Sequence, residues 1–363
     1  MKRVLLGDVV QINPLTKLSK GQFVKFISMD KLDPFTKTPN GYEKRKFSSG
    51  AKFTNGDTLL ARITPCLENG KTAFVDFLDD LEVAAGSTEF VILRNIEGLT
   101  DPAYIYYLSI SPAFRDYAIK SMVGTSGRQR VQNDVLAKME LSLPSLDQQK
   151  KIADILGSLD EKIELNRRMN ETIKQLGQTL FRHYFVDNPE RSGWGKRFLG
   201  EFFPIKTGKK DANFGTKDGK FPFFTCAQTV SHASSYSFDG SAILVAGNGD
   251  FNIKYYTGKF EAYQRTYVLM PYNEELLGFL YFLMKKDLSL ITGGSHGSVI
   301  KFITKGMIEN YKSLLPNDRK LVIITPIFNE LLTSMSHNKE QIQTLTTLRN
   351  SLLPKLISGE IEI

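Results

Sequence analysis

Apolar residues along this chain alternate between two regimes. Residues 1–143 and 189–316 carry short apolar or β-branched runs separated by turn residues, the signature of strands. Residues 144–188 and 317–363 carry apolar positions spaced three and four apart, the signature of helices. The first globular segment opens on Leu6-Gly7-Asp8-Val9-Val10. Gly56-Asp57-Thr58-Leu59-Leu60-Ala61-Arg62 reads as a turn leading into a buried strand, and Glu89-Phe90-Val91-Ile92-Leu93 as another. A helix over Pro102 to Tyr117 follows, then a loop at Val123-Gly124-Thr125-Ser126-Gly127-Arg128 and an extended exit at Leu141-Ser142-Leu143-Pro144. The second segment repeats this order with Leu199-Gly200-Glu201, then Asp239 to Val245, Tyr267 to Met270, an apolar helix over Leu276 to Met284, a glycine loop at 293–297, and Leu314-Leu315-Pro316.

The helical segments keep a seven-residue rhythm. The first carries Ile152, Leu156, Leu159 and Ile163, and its stripe then shifts through Leu165 and Met169 to Ile173, Leu176 and Leu180. The second carries Phe328, Leu331, Met335, Asn338, Ile342, Leu345, Arg349, Leu352 and Leu356, the pattern of a coiled-coil seam with polar insertions. Thr325-Pro326 suits an N-cap followed by proline at the first helical position, and Gly359 suits a stop. The expected architecture is mixed α/β: a pseudo-twofold tandem repeat of two globular domains (1–143 and 189–316) joined by two long helices (144–188 and 317–363). These helices form an antiparallel coiled coil, the competing reading being two ordinary helices buried in separate cores. The tail Glu360-Ile361-Glu362-Ile363 alternates like a short strand and would pair with the first globule.

Charge narrows the function. The net charge is +8 over 363 residues, and the excess lies in the globular segments while the helical segments are balanced. Lys and Arg neutralise phosphates, so a basic globule beside neutral helices fits nucleic acid on one and protein on the other, although a soluble protein that is merely basic fits too. Two cysteines in different halves and four histidines with no Cys-x-x-Cys argue against a disulfide framework or a structural zinc. No run reaches membrane-span length, and Asp8 interrupts the N-terminal apolar patch too early for a signal peptide, so a cytoplasmic location is expected.

Leu143-Pro144-Ser145-Leu146-Asp147-Gln148-Gln149-Lys150-Lys151-Ile152-Ala153 resembles the start of the central helical region in specificity subunits of Type I restriction-modification systems. So do Leu159-Asp160-Glu161-Lys162-Ile163-Glu164-Leu165-Asn166-Arg167-Arg168, Asn170-Glu171 and Leu180-Phe181-Arg182. The ending Leu352-Leu353-Pro354-Lys355-Leu356-Ile357-Ser358-Gly359-Glu360-Ile361 is similar to that family's C-terminal helix, and Arg62-Ile63-Thr64-Pro65 with Glu68-Asn69-Gly70-Lys71 resembles a segment of some of its recognition domains. The second helical region departs by lacking the Gln-Lys-Lys-Ile start, with Arg319-Lys320-Leu321 and then Pro326 instead, so its helix is expected to begin later. The resemblance implies a non-catalytic DNA-reading subunit. Each globule would be a target recognition domain for half of a bipartite site in double-stranded DNA. The helices would set the spacing and dock two modification (methyltransferase) subunits through Ile152, Leu156, Leu159, Ile163, Ile342, Leu345 and Leu352. An ATP-hydrolysing restriction subunit is a further partner, and this chain itself would hold no cofactor and no metal.

The residues agree on the lack of catalysis. The Asn/Asp-Pro-Pro-aromatic motif of amino-methyltransferases needs a Pro-Pro, and none occurs. No Gly-x-Gly-x-x-Gly follows a strand and no Walker A loop is present; Gly247-Asn248-Gly249-Asp250 reads as a turn. Candidate DNA contacts are loop residues. Ser126, Arg128, Gln129 and Arg130 come first, with either arginine forking onto guanine O6/N7 and Gln129 pairing with adenine, against the plain alternative of a basic surface turn. Ser295, His296, Ser298 and Lys301 come second, and Arg62, Lys71 and Lys254, with Asn252, third. Lys44-Arg45-Lys46 and Lys209-Lys210 would touch phosphate, and Arg265 reads as structural. Two rival functions remain: the specificity chain of a Type IIG-like restriction enzyme, and a protein-only coiled-coil scaffold that would retain no DNA.

Overall fold

The computed structural model describes residues 2–125, 127–293 and 301–363. They form two compact units, one of residues 1–166 with 341–363 and the other of 167–340. The segments expected at 1–143 and 189–316 fall one in each unit, and each unit also takes up part of both long helices.

In the first unit, β1 (Lys2–Leu5), β2 (Val10–Ile12), β3 (Phe23–Ile27), β4 (Glu43–Lys46), β5 (Ala51–Phe53), β6 (Thr58–Ala61), β7 (Thr72–Phe74), β8 (Ala84–Gly86) and β9 (Phe90–Asn95) precede two helices. These helices, Pro102–Ile110 and Pro112–Lys120, replace the single one expected over Pro102 to Tyr117. Ser111 is extended and Pro112 occupies the first position of the next helix, where proline cannot continue the preceding one. A small hairpin, β10 (Met122–Val123) and β11 (Arg130–Val131), and β12 (Glu140–Leu143) complete the unit. The sheets run β2-β9-β6-β7 and β4-β3-β8-β5, and β1 pairs antiparallel with β12. Val91 and Leu93 of β9 and Leu60 of β6 face a core shared with Tyr104, Phe114, Ile152 and Leu156. Phe90, Ile92 and Leu59 face the opposite core with Ile27 and Phe53. The unbroken apolar run of β9 therefore reflects burial on both faces.

The second unit repeats the plan. β13 (Gly195–Phe198), β14 (Ile205–Thr207), β15 (Phe221–Phe224), β16 (Ser231–Ala233), β17 (Phe238–Ala246), β18 (Ile253–Ala262) and β19 (Thr266–Leu269) precede the helix Leu277–Ile291 and β20 (Lys312–Leu315). One sheet runs β14-β19-β17-β18-β15-β16 and β13 pairs with β20. The order β14-β19-β17-β18 matches β2-β9-β6-β7. The far end of the ten-residue β18 pairs in parallel with β15, as β8 does with β3. One long strand thus does the work of β7 and β8. The openers correspond as well: the Leu6 N–H donates to the Met139 carbonyl at 2.9 Å and the Leu199 N–H to the Tyr311 carbonyl at 3.0 Å. A Cβ on Gly7 would lie 3.0 Å from Ala137 and one on Gly200 2.8 Å from Glu309, so both openers make the same close approach.

The central helix runs Leu146–Phe181 and continues through a π turn at Arg182–Val186; the C-terminal helix runs Pro326–Ser358. The later start of the second is as the sequence suggests, but Thr325 has helical backbone angles and closes a preceding short helix, Asp318–Ile324, instead of capping. Its buried hydroxyl finds no partner among the described residues. The two helices pair antiparallel within each unit. In the first unit Arg349 meets Asp160 at 2.6 Å and Asn166 donates to Gln341 at 3.0 Å. In the second, Asn338 donates to Asn170 at 3.0 Å and Asn170 to the Met335 carbonyl at 3.3 Å. The polar insertions at 338 and 349 are therefore buried and paired across the seam, which specifies register.

Each long helix is pinned by the carboxamide of its fourth residue. Gln149 is fully buried; its Oε1 accepts from the Asp101 N–H at 2.9 Å, and its Nε2 donates to the Leu99 and Pro144 carbonyls. Asn329 Oδ1 accepts from the Gly278 N–H at 2.7 Å and its Nδ2 donates to the Glu275 carbonyl at 2.6 Å. Each accepts from a backbone N–H at the start of an earlier helix, Pro102–Ile110 for Gln149 and Leu277–Ile291 for Asn329, where N–H groups have no partner within the helix. The tail forms no strand: residues 360–363 are irregular, and Ile363 packs against the first unit's core as a side chain. No helix among the described residues is long and apolar enough to cross a membrane.

Candidate nucleic-acid interface

The loops after β2 and β6, β5 and the start of β9 line an open cleft of about 360 Å³ in the first unit, bordered in part by Asn13, Leu15, Lys52, Arg62, Thr88 and Phe90. The Arg62 backbone is held on both sides: its N–H donates to the Glu89 carbonyl at 2.9 Å and its carbonyl accepts from the Val131 N–H at 2.9 Å. Its Nε is buried and has no partner among the described residues. The rim is rigid. Asn13 exchanges hydrogen bonds with Ile92, its N–H to the carbonyl at 2.8 Å and its Oδ1 accepting from the Ile92 N–H at 2.9 Å. Thr16 accepts from Arg94, which forks onto the fully buried Asp57 with two contacts of 2.6 Å. Between them Leu15 stands 95% exposed.

The second unit builds a cleft of about 530 Å³ at the corresponding place, lined in part by Thr207, Lys209, Gln264, Arg265, Tyr267 and Ile303. The backbone pattern is the same. The Gly247 N–H donates to the Arg265 carbonyl at 2.8 Å and its carbonyl accepts from the Ile303 N–H at 3.0 Å. Bridges Ile63↔Arg130 and Asn248↔Phe302 also correspond. Gly247 therefore occupies the place of Arg62, and Arg265 that of Glu89. Glycine is required at this wall, because a Cβ on Gly247 would lie 2.3 Å from the Arg265 carbonyl oxygen and one on Gly208 2.2 Å from that of Ala262. Each cleft has two cations and no carboxylate in its lining.

The residues expected to touch DNA fare differently. Arg128 and Gln129 lie on the β10–β11 hairpin, Arg128 exposed and Gln129 half-buried. The Gln129 carbonyl accepts from the Thr64 N–H at 3.0 Å, tying hairpin to loop. Arg130 is already engaged: it forks onto Glu89 with Nη2–Oε1 at 2.6 Å and Nε–Oε2 at 2.9 Å. That hydrogen bonding holds the Glu89 carboxyl below the usual range. Lys71 donates to the Met29 carbonyl at 2.9 Å and Lys254 to the Ala227 carbonyl at 2.7 Å, so both brace loops, and burial lowers the pKa of Lys254. Asn252 likewise holds the Cys226 and Asp250 carbonyls. Lys301 is exposed, and its carbonyl accepts from the Gly249 N–H at 2.9 Å. Ser126, Ser295, His296 and Ser298 lie outside the described residues. Lys44, Arg45 and Lys46 form the exposed edge strand β4, with the Arg45 guanidinium 3.2 Å over the Phe26 ring.

Of the expected docking positions, Ile152, Leu156 and Ile163 are buried inside the first unit, and Leu159, Ile342, Leu345 and Leu352 are half-buried. Ile152 and Leu156 belong to the first unit's core and Leu352 packs against it, and the apolar residues left exposed on the same helices include Ile155, Met169, Leu176 and Leu348. Sequence reasoning missed the pairing of clefts. Leu15 and Lys52 carried no motif, and Arg265 signals itself only once its backbone partner Gly247 is known. Among the described residues no cluster of His, Cys, Asp or Glu is placed to hold a metal.

A family model described as the Type I restriction modification DNA specificity domain matches residues 1–175 and again 191–347. The chain belongs to this family. The two matches coincide with the two copies of the repeat. Similar proteins include the Type I restriction enzyme EcoDI specificity subunit of Escherichia coli, 43% identical over 172 residues, which are 46% of this chain and 38% of that one. The MjaIX specificity subunit of Methanocaldococcus jannaschii is 24% identical over 301 residues, 72% of this chain and 69% of the relative. The aligned region thus spans well under half of the EcoDI subunit and about two thirds of the MjaIX subunit. A crystal structure of a Type I restriction-modification S subunit from M. genitalium shares the fold, with a TM-score of 0.61 at 18% identity over 98% of this chain and 96% of that one.

Proposed function

We propose that this chain is the non-catalytic DNA sequence-specificity subunit of a Type I restriction-modification complex, acting in the cytoplasm. Each unit reads one half of a bipartite site in double-stranded DNA, and the helices dock two methyltransferase subunits, with an ATP-dependent restriction subunit as a further partner. The observation that carries this reading is the duplication itself: two units that share the strand order β2-β9-β6-β7 and β14-β19-β17-β18, each with a carboxylate-free cationic cleft at the same place. A duplex carrying two short half-sites is the ligand such a repeat fits, because cations draw phosphates and positioned side chains read base edges. The exposed Met169 and Leu176 on the central helix suit a protein partner.

The test is co-purification with the methyltransferase encoded beside this chain, followed by mapping N6-methyladenine on DNA treated with the complex and S-adenosylmethionine. A two-part motif with a constant unread gap is expected. Methylation that does not depend on this chain, or no complex, would leave the scaffold reading.

A further inference from the structure

We propose that the base-reading surface of each unit is its cleft, with Arg62 reading one half-site and Arg265 the other, and that the β10–β11 hairpin does not read bases. This inference rests on the function proposed above. The argument begins from what each arginine is free to do. Arg130, the most prominent candidate in the sequence, spends its fork on Glu89, so using it on guanine would strip a carboxylate of its partner. Arg62 lines the cleft half-buried with its backbone tied to two neighbouring segments, and its guanidinium makes no ion pair or side-chain hydrogen bond with the described residues. A guanidinium in that state is oriented but uncommitted, and guanine O6 and N7 offer paired acceptors to its two terminal Nη groups rather than to the buried Nε. Arg265 is exposed and makes no ion pair with the described residues, and its carbonyl anchors it to Gly247.

The surroundings supply the rest of a reading surface. Lys52 and Lys209 stand at the two clefts to meet phosphate. Leu15, held between the locked Asn13 and Thr16, offers an apolar tip to a thymine methyl with little further ordering required. Gln264 offers a carboxamide that suits adenine. The arginine comes from the β6 side in the first cleft and from the β19 side in the second, since Arg62 corresponds to Gly247 and Arg265 to Glu89. The two clefts therefore present different donor patterns, and two unlike half-sites are expected.

The experiment uses the full chain in complex with its methyltransferase subunits and a pool of duplexes randomised over both half-sites. Arg62→Ala is expected to lower discrimination at a guanine in one half-site by about 5- to 150-fold and leave the other half-site intact. Arg265→Ala is expected to do the converse, so each variant carries an internal control for folding. Arg62→Lys keeps the charge without the fork, and should keep the salt dependence while weakening the guanine preference. Arg128→Ala should change affinity without changing the motif. Unchanged motifs in both arginine variants would overturn the assignment. So would a uniform loss across all sequences with a salt slope reduced by about one, which marks a phosphate contact. A wild-type complex that enriches no motif would instead overturn the proposed function.

Discussion

Arg349 and Asp160 make the most exacting test of how the helices are held. Their side chains are 4% and 5% exposed and meet at 2.6 Å. The second Asp160 oxygen accepts from the Tyr107 hydroxyl at 2.9 Å, and Arg349 also donates to the Phe35 carbonyl at 3.1 Å. Burial pushes the Tyr107 hydroxyl far above its ordinary pKa, so it stays protonated and can only donate to the carboxylate. Desolvating two charges costs nearly as much as their attraction returns, whereas removing one partner strands the other. Arg349→Met should therefore destabilise the first unit by about 3–5 kcal/mol, a melting shift of roughly 6–20 °C for a unit of 150–250 residues. Arg349→Met with Asp160→Leu should recover most of that loss, because no unpaired charge remains. Differential scanning calorimetry of the three proteins decides it. A single variant that loses less than about 1 kcal/mol, or a double variant no better than the single, would refute the claim that this pair is a desolvated and mutually dependent one.

Gln149→Leu should cost about 1–3 kcal/mol for each backbone group it leaves unsatisfied, and Asn329→Leu the same in the second unit, both readable by urea unfolding. Gly278→Ala should destabilise despite alanine's helical advantage of about 1 kcal/mol, since its Cβ would lie 2.4 Å from the Phe328 backbone; a stabilised variant in a thermal melt would contradict the packing. Glu89 has a folded pKa below its ordinary one, so its ionised form stabilises the hairpin above the usual carboxylate range. That contribution is lost as pH falls below the usual carboxylate range through the lowered pKa. Hydrogen exchange at the Val131 amide should accelerate there in the wild type, and Glu89→Gln should lack that acid step.

Much of the architecture was legible because it rests on local and periodic signals. The Leu-Gly-acid openers, the doubly buried strands at 58–61 and 90–95 and the heptads all name their own environment. Burial on both faces forces an apolar run, and helix pairing forces a seven-residue rhythm. The boundary at Ser111-Pro112 was legible in principle, since proline there breaks a helix, but the aromatic and aliphatic run across it read as one element. The paired clefts were not legible, because they are defined by long-range backbone hydrogen bonds: Arg62 to Glu89 and Val131, and Gly247 to Arg265 and Ile303. The basic loop at 124–130 drew attention through its composition, yet composition does not tell an arginine spent on a carboxylate from one left open.

The duplicated pin shows why the repeat survives with so little shared sequence. Gln149 and Asn329 differ in type and length, and the motif around Gln149 has no counterpart near Asn329. Each nevertheless sits at the fourth position of its helix and meets one backbone donor and at least one backbone acceptor at the start of an earlier helix, Pro102–Ile110 or Leu277–Ile291. Any carboxamide of suitable reach can do this, because the constraint comes from backbone groups that need partners, and those follow from the topology. The cleft walls obey the same logic in reverse. Their backbone pairing is common to both units, but the side chains it carries, Arg62 and Glu89 in one and Gly247 and Arg265 in the other, are released from that duty. A scaffold whose register is set by backbone partners lets the side chains at its clefts vary, which is what the two unlike half-sites proposed above would require.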